Sequence, residues 1–128
     1  MSHKLLIVDD SKGCSEMYKM RFEYDKWDVR IAFSAEIAIK MLKDGNYKPD
    51  AILLDLMLPE MQGDELLDVL KGDPKTKNIK VIVITALNLD GKREKVLTNK
   101  ADDYIPKISI MPYELVKRVT ALVEGDNI

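Results

Sequence analysis

The sequence predicts an α/β fold, a doubly wound five-stranded parallel sheet with helices on both faces. Three observations carry that expectation. Short apolar runs recur at residues 5–8, 29–33, 51–54 and 81–84, with a weaker fifth around Tyr104 and Ile105. One-sided helical stripes lie between them, so strand and helix alternate five times and right-handed crossovers must join the strands. A chain of 128 residues, 46% of them hydrophobic, has apolar surface for one core but not for two.

The first run, Leu5-Leu6-Ile7-Val8, is apolar throughout, as suits a strand covered on both faces. Ser11 follows as a candidate N-cap for a helix with the stripe Cys14, Met17, Tyr18 and Phe22. The second run alternates, Val29, Ile31 and Phe33 against Arg30, the pattern of an edge strand with one wetter face. Ser34 is placed to cap a second helix carrying Ile37, Ala38, Met41 and Leu42. The third and fourth runs are again apolar throughout, and between them Leu66, Leu67 and Leu70 form the third stripe.

Residues 87–100 are different. Asp90, Gly91, Lys92, Arg93, Glu94 and Lys95 leave Val96 and Leu97 as the only clear apolar anchor. This helix is expected to be short and loosely held, either a solvated face or an element able to shift between two arrangements. The last helix has Pro112 in its first turn, Leu115, Val116, Val119, Leu122 and Val123 on one side, and Gly125 as its stop.

Composition removes several function classes. Lys and Arg number 20 against 22 Asp and Glu, a formal charge of -2. The overall balance thus argues neither for a nucleic-acid backbone nor for an anionic membrane as partner. Cys14 is the single cysteine, no Cys/His cluster has metal-ligand spacing, and His3 reads as part of a solvated N-terminal lead-in. No apolar run approaches the ~20 residues that span a bilayer. Lys4 leads directly into a strand without a signal-peptide profile, so a cytoplasmic location is expected.

Sheets of this kind place their sites at the carboxyl ends of strands, near the point where strand order reverses. There the sequence puts Asp9 and Asp10 after the first strand, Asp55 after the third, Thr85 after the fourth and Lys107 shortly after the fifth. Asp commonly caps a helix and Thr commonly ends a strand, but five such residues at strand ends together point to a site. If the first and third strands are neighbours, three carboxylates approach one another, and two like charges ~4 Å apart repel by about 4 kcal/mol at an effective dielectric of 20. A shared proton or a hard cation such as Mg2+ would offset that repulsion, and Lys107 adds positive charge.

Four stretches carry a family resemblance: Leu5-Leu6-Ile7-Val8-Asp9-Asp10-Ser11, Leu54-Asp55-Leu56-Met57-Leu58-Pro59-Glu60-Met61-Gln62-Gly63, Thr85-Ala86, and Ala101-Asp102-Asp103-Tyr104-Ile105-Pro106-Lys107. In order and spacing they resemble the signature blocks of two-component response-regulator receiver domains, of the single-domain, chemotaxis-regulator-like kind. The resemblance implies a flavodoxin-like sheet of strand order 2-1-3-4-5, with the receiver domain over residues 1–124 and a tail at 125–128. It implies Asp55 as the phosphoacceptor, and Asp9, Asp10, Asp55 and the Met57 backbone carbonyl as ligands of Mg2+ (or Mn2+). Thr85 would donate to one phosphoryl oxygen, Lys107 would pair with another, and Tyr104 would be the aromatic whose rotamer follows Thr85.

A domain of this family is implied to be a phosphoacceptor switch rather than an enzyme, although it assists its own phosphorylation and dephosphorylation. Its partners would be a sensor histidine kinase or histidine phosphotransfer protein and a downstream protein, with no direct contact to nucleic acid or membrane. The first helix and the face of the fourth helix, fifth strand and fifth helix are the implied partner surfaces, with Lys92, Lys95 and Tyr113 near the latter. Because the last apolar helix ends within a few residues of Ile128, either a single-domain regulator or a receiver cut from a longer protein is expected.

The sequence departs from the family pattern at four places. Ile108 follows Lys107 where Pro is usual, and since a cis bond there would cost ~3 kcal/mol, a trans bond or visible strain is expected. The loop from Lys107 to Pro112 is one residue longer than usual. Gln62 replaces the usual Asp, and Lys100 replaces a common Gly, which weakens the expected turn. Met57 and Leu87, at positions that influence how water reaches the acyl phosphate, are both apolar, and slow autodephosphorylation is expected.

Two alternatives come from other classes. The missing Pro suggests a phosphorylation-independent, receiver-like protein-binding module. An aspartyl-phosphate phosphatase would need a second Asp where Met57 stands, and flavin binding would need a Ser/Thr/Gly-rich loop after the first strand, which is absent.

Overall fold

Three strands whose residues are almost all apolar need cover on both faces, and the chain provides it with the first and last helices on one side and the middle three on the other. The computed structural model describes residues 3–86 and 89–125. The elements run β1 (Lys4–Val8), α1 (Lys12–Tyr24), β2 (Asp28–Ala32), α2 (Ala35–Lys43), β3 (Ala51–Asp55) and α3 (Gly63–Gly72). They continue with β4 (Lys80–Thr85), α4 (Gly91–Lys100), β5 (Asp103–Pro106), a 3-10 turn at Lys107–Ser109 and α5 (Pro112–Glu124). All strand pairs are parallel and the order is β2-β1-β3-β4-β5, as expected, with the alternating strand β2 at an edge.

Side-chain alternation along each strand divides the core in two. Leu6, Val8, Ile52, Leu54, Val81 and Val83 meet Ala38 of α2, Leu66, Leu67 and Leu70 of α3, and Leu97 of α4. Leu5, Ile7, Leu53, Ile82, Ile84 and Ile105 meet Tyr18 and Phe22 of α1 and Leu115, Val116 and Val119 of α5. The caps fall where expected: Cys14 N donates to Ser11 Oγ at 3.4 Å and Ile37 N to Ser34 Oγ at 3.2 Å. Pro112 sits in the first turn of α5, and Gly125 ends that helix with φ 75°.

Where burial differs from the apolar stripes, small residues and loops are responsible. Met17 and Ile37 are exposed, while Ser15 and Ala35 take the inward positions of α1 and α2. Ser15 tolerates burial because its hydroxyl donates to the carbonyl of Ser11, a partner that an apolar period does not register. Phe33 falls beyond the end of β2 and is exposed. Trp27 and Tyr47, both outside the helices and strands, are buried.

His3 is not a solvated lead-in. Its ring lies 5.0 Å from that of Trp27, its Nε2 is 3.3 Å from Glu124 Oε2, and its carbonyl accepts from Asp28 N. Extending the β1–β2 pairing by this bond holds the imidazole against the indole. Lys100 is also easily accommodated, since α4 ends through Ala101 in extended backbone and no left-handed residue is needed. Gln62 precedes α3 without making a side-chain cap bond.

Gly63 opens α3 directly against the end of β3. A β-carbon there would lie 2.5 Å from the Asp55 carbonyl oxygen and 2.6 Å from Leu56 Cα, both main-chain atoms unable to swing aside. Gly63→Ala is therefore expected to lower stability by about 1–3 kcal/mol, as overpacking does. Urea denaturation checks this, and an unchanged midpoint would show that the β3–α3 junction has slack.

Candidate functional site

The sheet register brings two acids together. Val8 pairs with Leu54, so Asp9, one residue past β1, stands level with Asp55 at the end of β3. By alternation both continue the rows of Ile7 and Leu53, on the α1/α5 side of the sheet. Both carboxylates are buried, Asp9 with 2% and Asp55 with 5% of its surface exposed. Two buried carboxylates side by side require a counter-charge.

Lys107 supplies it, reaching in from the turn after β5. Its Nζ lies 3.1 Å from Asp9 Oδ2 and 2.9 Å from Asp55 Oδ2. The other oxygen of each acid is fixed by the main-chain amide two residues on: Ser11 N donates to Asp9 Oδ1 at 2.8 Å and Met57 N to Asp55 Oδ1 at 3.0 Å. Each carboxylate is thus oriented from both ends, by a turn amide and by the shared ammonium. These two amides were not singled out from sequence, although the Asp-x-x pattern of a local side-chain turn was present at both places.

The electrostatics favour a cation. Burial raises the Asp9 carboxyl above the usual carboxylate range; the Ser11 amide and Lys107 pull it back, and the charge of Asp55 adds to the rise. Burial alone would lower Lys107, but its bond to Asp55 and the charges of Asp55 and Asp9 outweigh that and hold it above the usual lysine range. The ammonium therefore stays charged, while Asp9 is left under-compensated. Tyr18 of α1 is buried within the same field: burial raises its hydroxyl, Lys107 opposes the rise, and Cys14, Asp9 and Asp55 add to it.

The remaining expected residues are placed as follows. Asp10 lies beyond the strand and is exposed, and among the described residues no three His, Cys, Asp or Glu side chains are gathered as a metal-holding group. Of the three expected acids, Asp9 and Asp55 form the buried pair bridged by Lys107, and Asp10 lies next to them in sequence at the surface. The donor set nonetheless fits a hard cation, because Mg2+ takes one or two carboxylates, adds carbonyl oxygen and keeps several waters.

Thr85 ends β4 fully buried. Tyr104 pairs in register with Val83, so Tyr104 and Thr85 are diagonal neighbours on the same face, that of α2, α3 and α4. Tyr104 is partly buried there, and burial, then the charge of Glu94, raises its hydroxyl. The described residues contain no cis peptide bond, so Lys107–Ile108 is trans, and Ile108 is 94% exposed. Met57 is exposed at the mouth of the site; Leu87 lies outside the described residues. Among the described residues no helix is long and apolar enough to cross a membrane.

Comparison with known proteins identifies the family. The family model described as "Response regulator receiver domain" matches residues 5–120. The transcriptional regulatory protein SrrA of Staphylococcus aureus is 36% identical over 123 residues, covering 96% of this chain and 48% of that protein. The chain thus spans about half the length of the curated relatives it matches. Among solved structures, the signal receiver domain of a signal transduction histidine kinase from Syntrophus aciditrophicus superposes with TM-score 0.86 at 30% identity, over 98% of this chain and 93% of that one. A CheY-like response regulator receiver domain protein from Methanospirillum hungatei superposes with TM-score 0.85 at 25% identity, over 98% and 96%. The match along most of the chain, together with the 2-1-3-4-5 sheet, places this protein among the receiver domains of two-component response regulators.

Proposed function

We propose that this receiver is a phosphorylation-controlled switch in which Asp55 accepts a phosphoryl group from a histidine kinase or histidine phosphotransfer protein. The observation that carries the reading is the bridging of Asp55 and Asp9 by Lys107, at 2.9 and 3.1 Å. Phosphoryl transfer asks the protein for little beyond an in-line nucleophile and positive charge around the transferring oxygens. Asp55 supplies the first, with one carboxylate oxygen held by the Met57 amide. Lys107 supplies part of the second.

Asp9, Asp10, Asp55 and the Met57 carbonyl are the groups that would hold Mg2+ or Mn2+, which when bound would neutralise developing charge on the phosphoryl oxygens. In the transfer, the bond from phosphorus to the donor histidine breaks as the bond to Asp55 forms, and the histidine leaves with the electron pair. Lys107 then keeps a partner, because the phosphoryl group replaces the carboxylate charge with about -1.5 to -2 of its own.

Thr85 would donate to one of the new oxygens, and its shift toward the site would open space beside it for Tyr104 on the neighbouring strand. The α4, β5 and α5 face would then present a different surface to a downstream protein. On this reading the domain, spanning residues 1–124, is a signalling module that assists its own modification, with no direct contact to nucleic acid or membrane.

Incubation with a small phosphodonor followed by intact-mass measurement tests this, with and without Mg2+, on the wild type and Asp55→Asn. One phosphoryl adduct that needs both the metal and Asp55 is expected. No adduct at any donor concentration would overturn the reading in favour of a phosphorylation-independent binding module. A second expectation concerns lifetime: Met57→Asn, which puts a polar side chain at the exposed mouth of the site, should shorten the acyl-phosphate half-life by about tenfold or less. An unchanged decay rate of the purified adduct would remove Met57 from the control of water access.

A further inference from the structure

α4 is attached to the body of the protein unlike any other helix. α1, α3 and α5 each bury three or more side chains or backbone positions, whereas every residue of α4 except Leu97 is exposed. What α4 turns toward α3 is charge. Arg93 Nη2 lies 3.7 Å from Asp64 Oδ2, and Lys100 Nζ lies 3.0 Å from Asp68 Oδ1. The two acids are one turn apart on α3, and they engage cations near opposite ends of α4.

The helix itself is well made. Asp90 caps it by accepting from Arg93 N at 2.8 Å, and Ala101 N closes it on Leu97 O at 2.8 Å. Its C-terminal exit is also tied down, since Asp102 Oδ2 accepts from Val81 N at 2.8 Å and pairs with Lys71 Nζ at 2.7 Å. The weak link is therefore the docking of a formed helix.

We propose that the α3–α4 contact is an ionic clip, from which α4 lifts as a unit about the end fixed by Asp102, and that ionic strength sets how often it does so. Both pairs are two-fifths or more exposed on every side chain, the class of ion pair that contributes little and is screened by salt. With one buried leucine behind them, they form a large share of what holds the helix. Tyr104 packs on the same core cluster as Leu97, so lifting α4 also changes the surroundings of that ring. This last link to signalling rests on the function proposed above; the clip does not.

Amide hydrogen exchange of the whole chain, followed residue by residue, tests the clip. A helix of 10 residues is marginal in water once undocked, so its amides open when it lifts; raising NaCl from about 20 mM to about 500 mM, which shortens the screening length several-fold, should therefore speed exchange at residues 96–100 about fivefold while α5 stays constant. Asp64→Asn combined with Asp68→Asn should show the faster exchange already at low salt and no further response. Glu36→Gln, which breaks an exposed pair on α2, should leave α4 as in the wild type. Asp55→Asn should keep the full salt response, which separates failure of the clip from failure of the phosphorylation reading. Exchange in α4 that ignores salt in the wild type, or still climbs with salt in the double variant, would overturn the proposal.

Discussion

One ammonium group between two buried carboxylates organises this molecule's functional end. Without Lys107, Asp9 and Asp55 would face each other in a site from which water is largely excluded, and removing one partner of a buried ion pair costs about 3–5 kcal/mol. With it, the pair is held but not neutralised, since two acids share one cation. A site left with a net negative charge, rigidly oriented by the Ser11 and Met57 amides, is suited to receive a further cation.

The sheet topology makes this arrangement possible. Because β1 is flanked by β2 and β3, the chain reverses direction across the sheet at β1, and the ends of β1 and β3 open side by side into a crevice. Register then levels Asp9 with Asp55, and Gly63 lets α3 begin against the Asp55 carbonyl without a side chain in between. β5 lies two strands from β3, so Lys107 reaches the acids with its full length from the following turn. On the other face of the sheet, Thr85 and Tyr104 stand diagonally beneath α4, the helix with the least apolar hold.

Much of this was legible in the sequence because it follows from periods and strand ends. Apolar runs of four or five residues located the strands, the alternation at Val29, Arg30 and Ile31 located the edge, and the serines at 11 and 34 located two caps. The polar run at 90–95 foretold that α4 would be thinly anchored. What the sequence hid was specific contact. His3 packs on Trp27 and Ser15 is buried through a hydroxyl bond, and neither is visible in an apolar pattern. Asp10, one residue from Asp9, has the same chemistry but lies exposed beyond the strand, and a count of acids at strand ends does not tell the buried pair from its exposed neighbour.

The account stands on the cation-seeking character of the paired acids, and the two amides that orient them are natural reporters of it. In a Mg2+ titration followed by amide NMR, the resonances of Ser11 and Met57 should move first and together, and Asp9→Asn should weaken the response at both by tenfold or more. Saturating Mg2+ that leaves those two amides unmoved, or that shifts residues elsewhere on the surface instead, would contradict it.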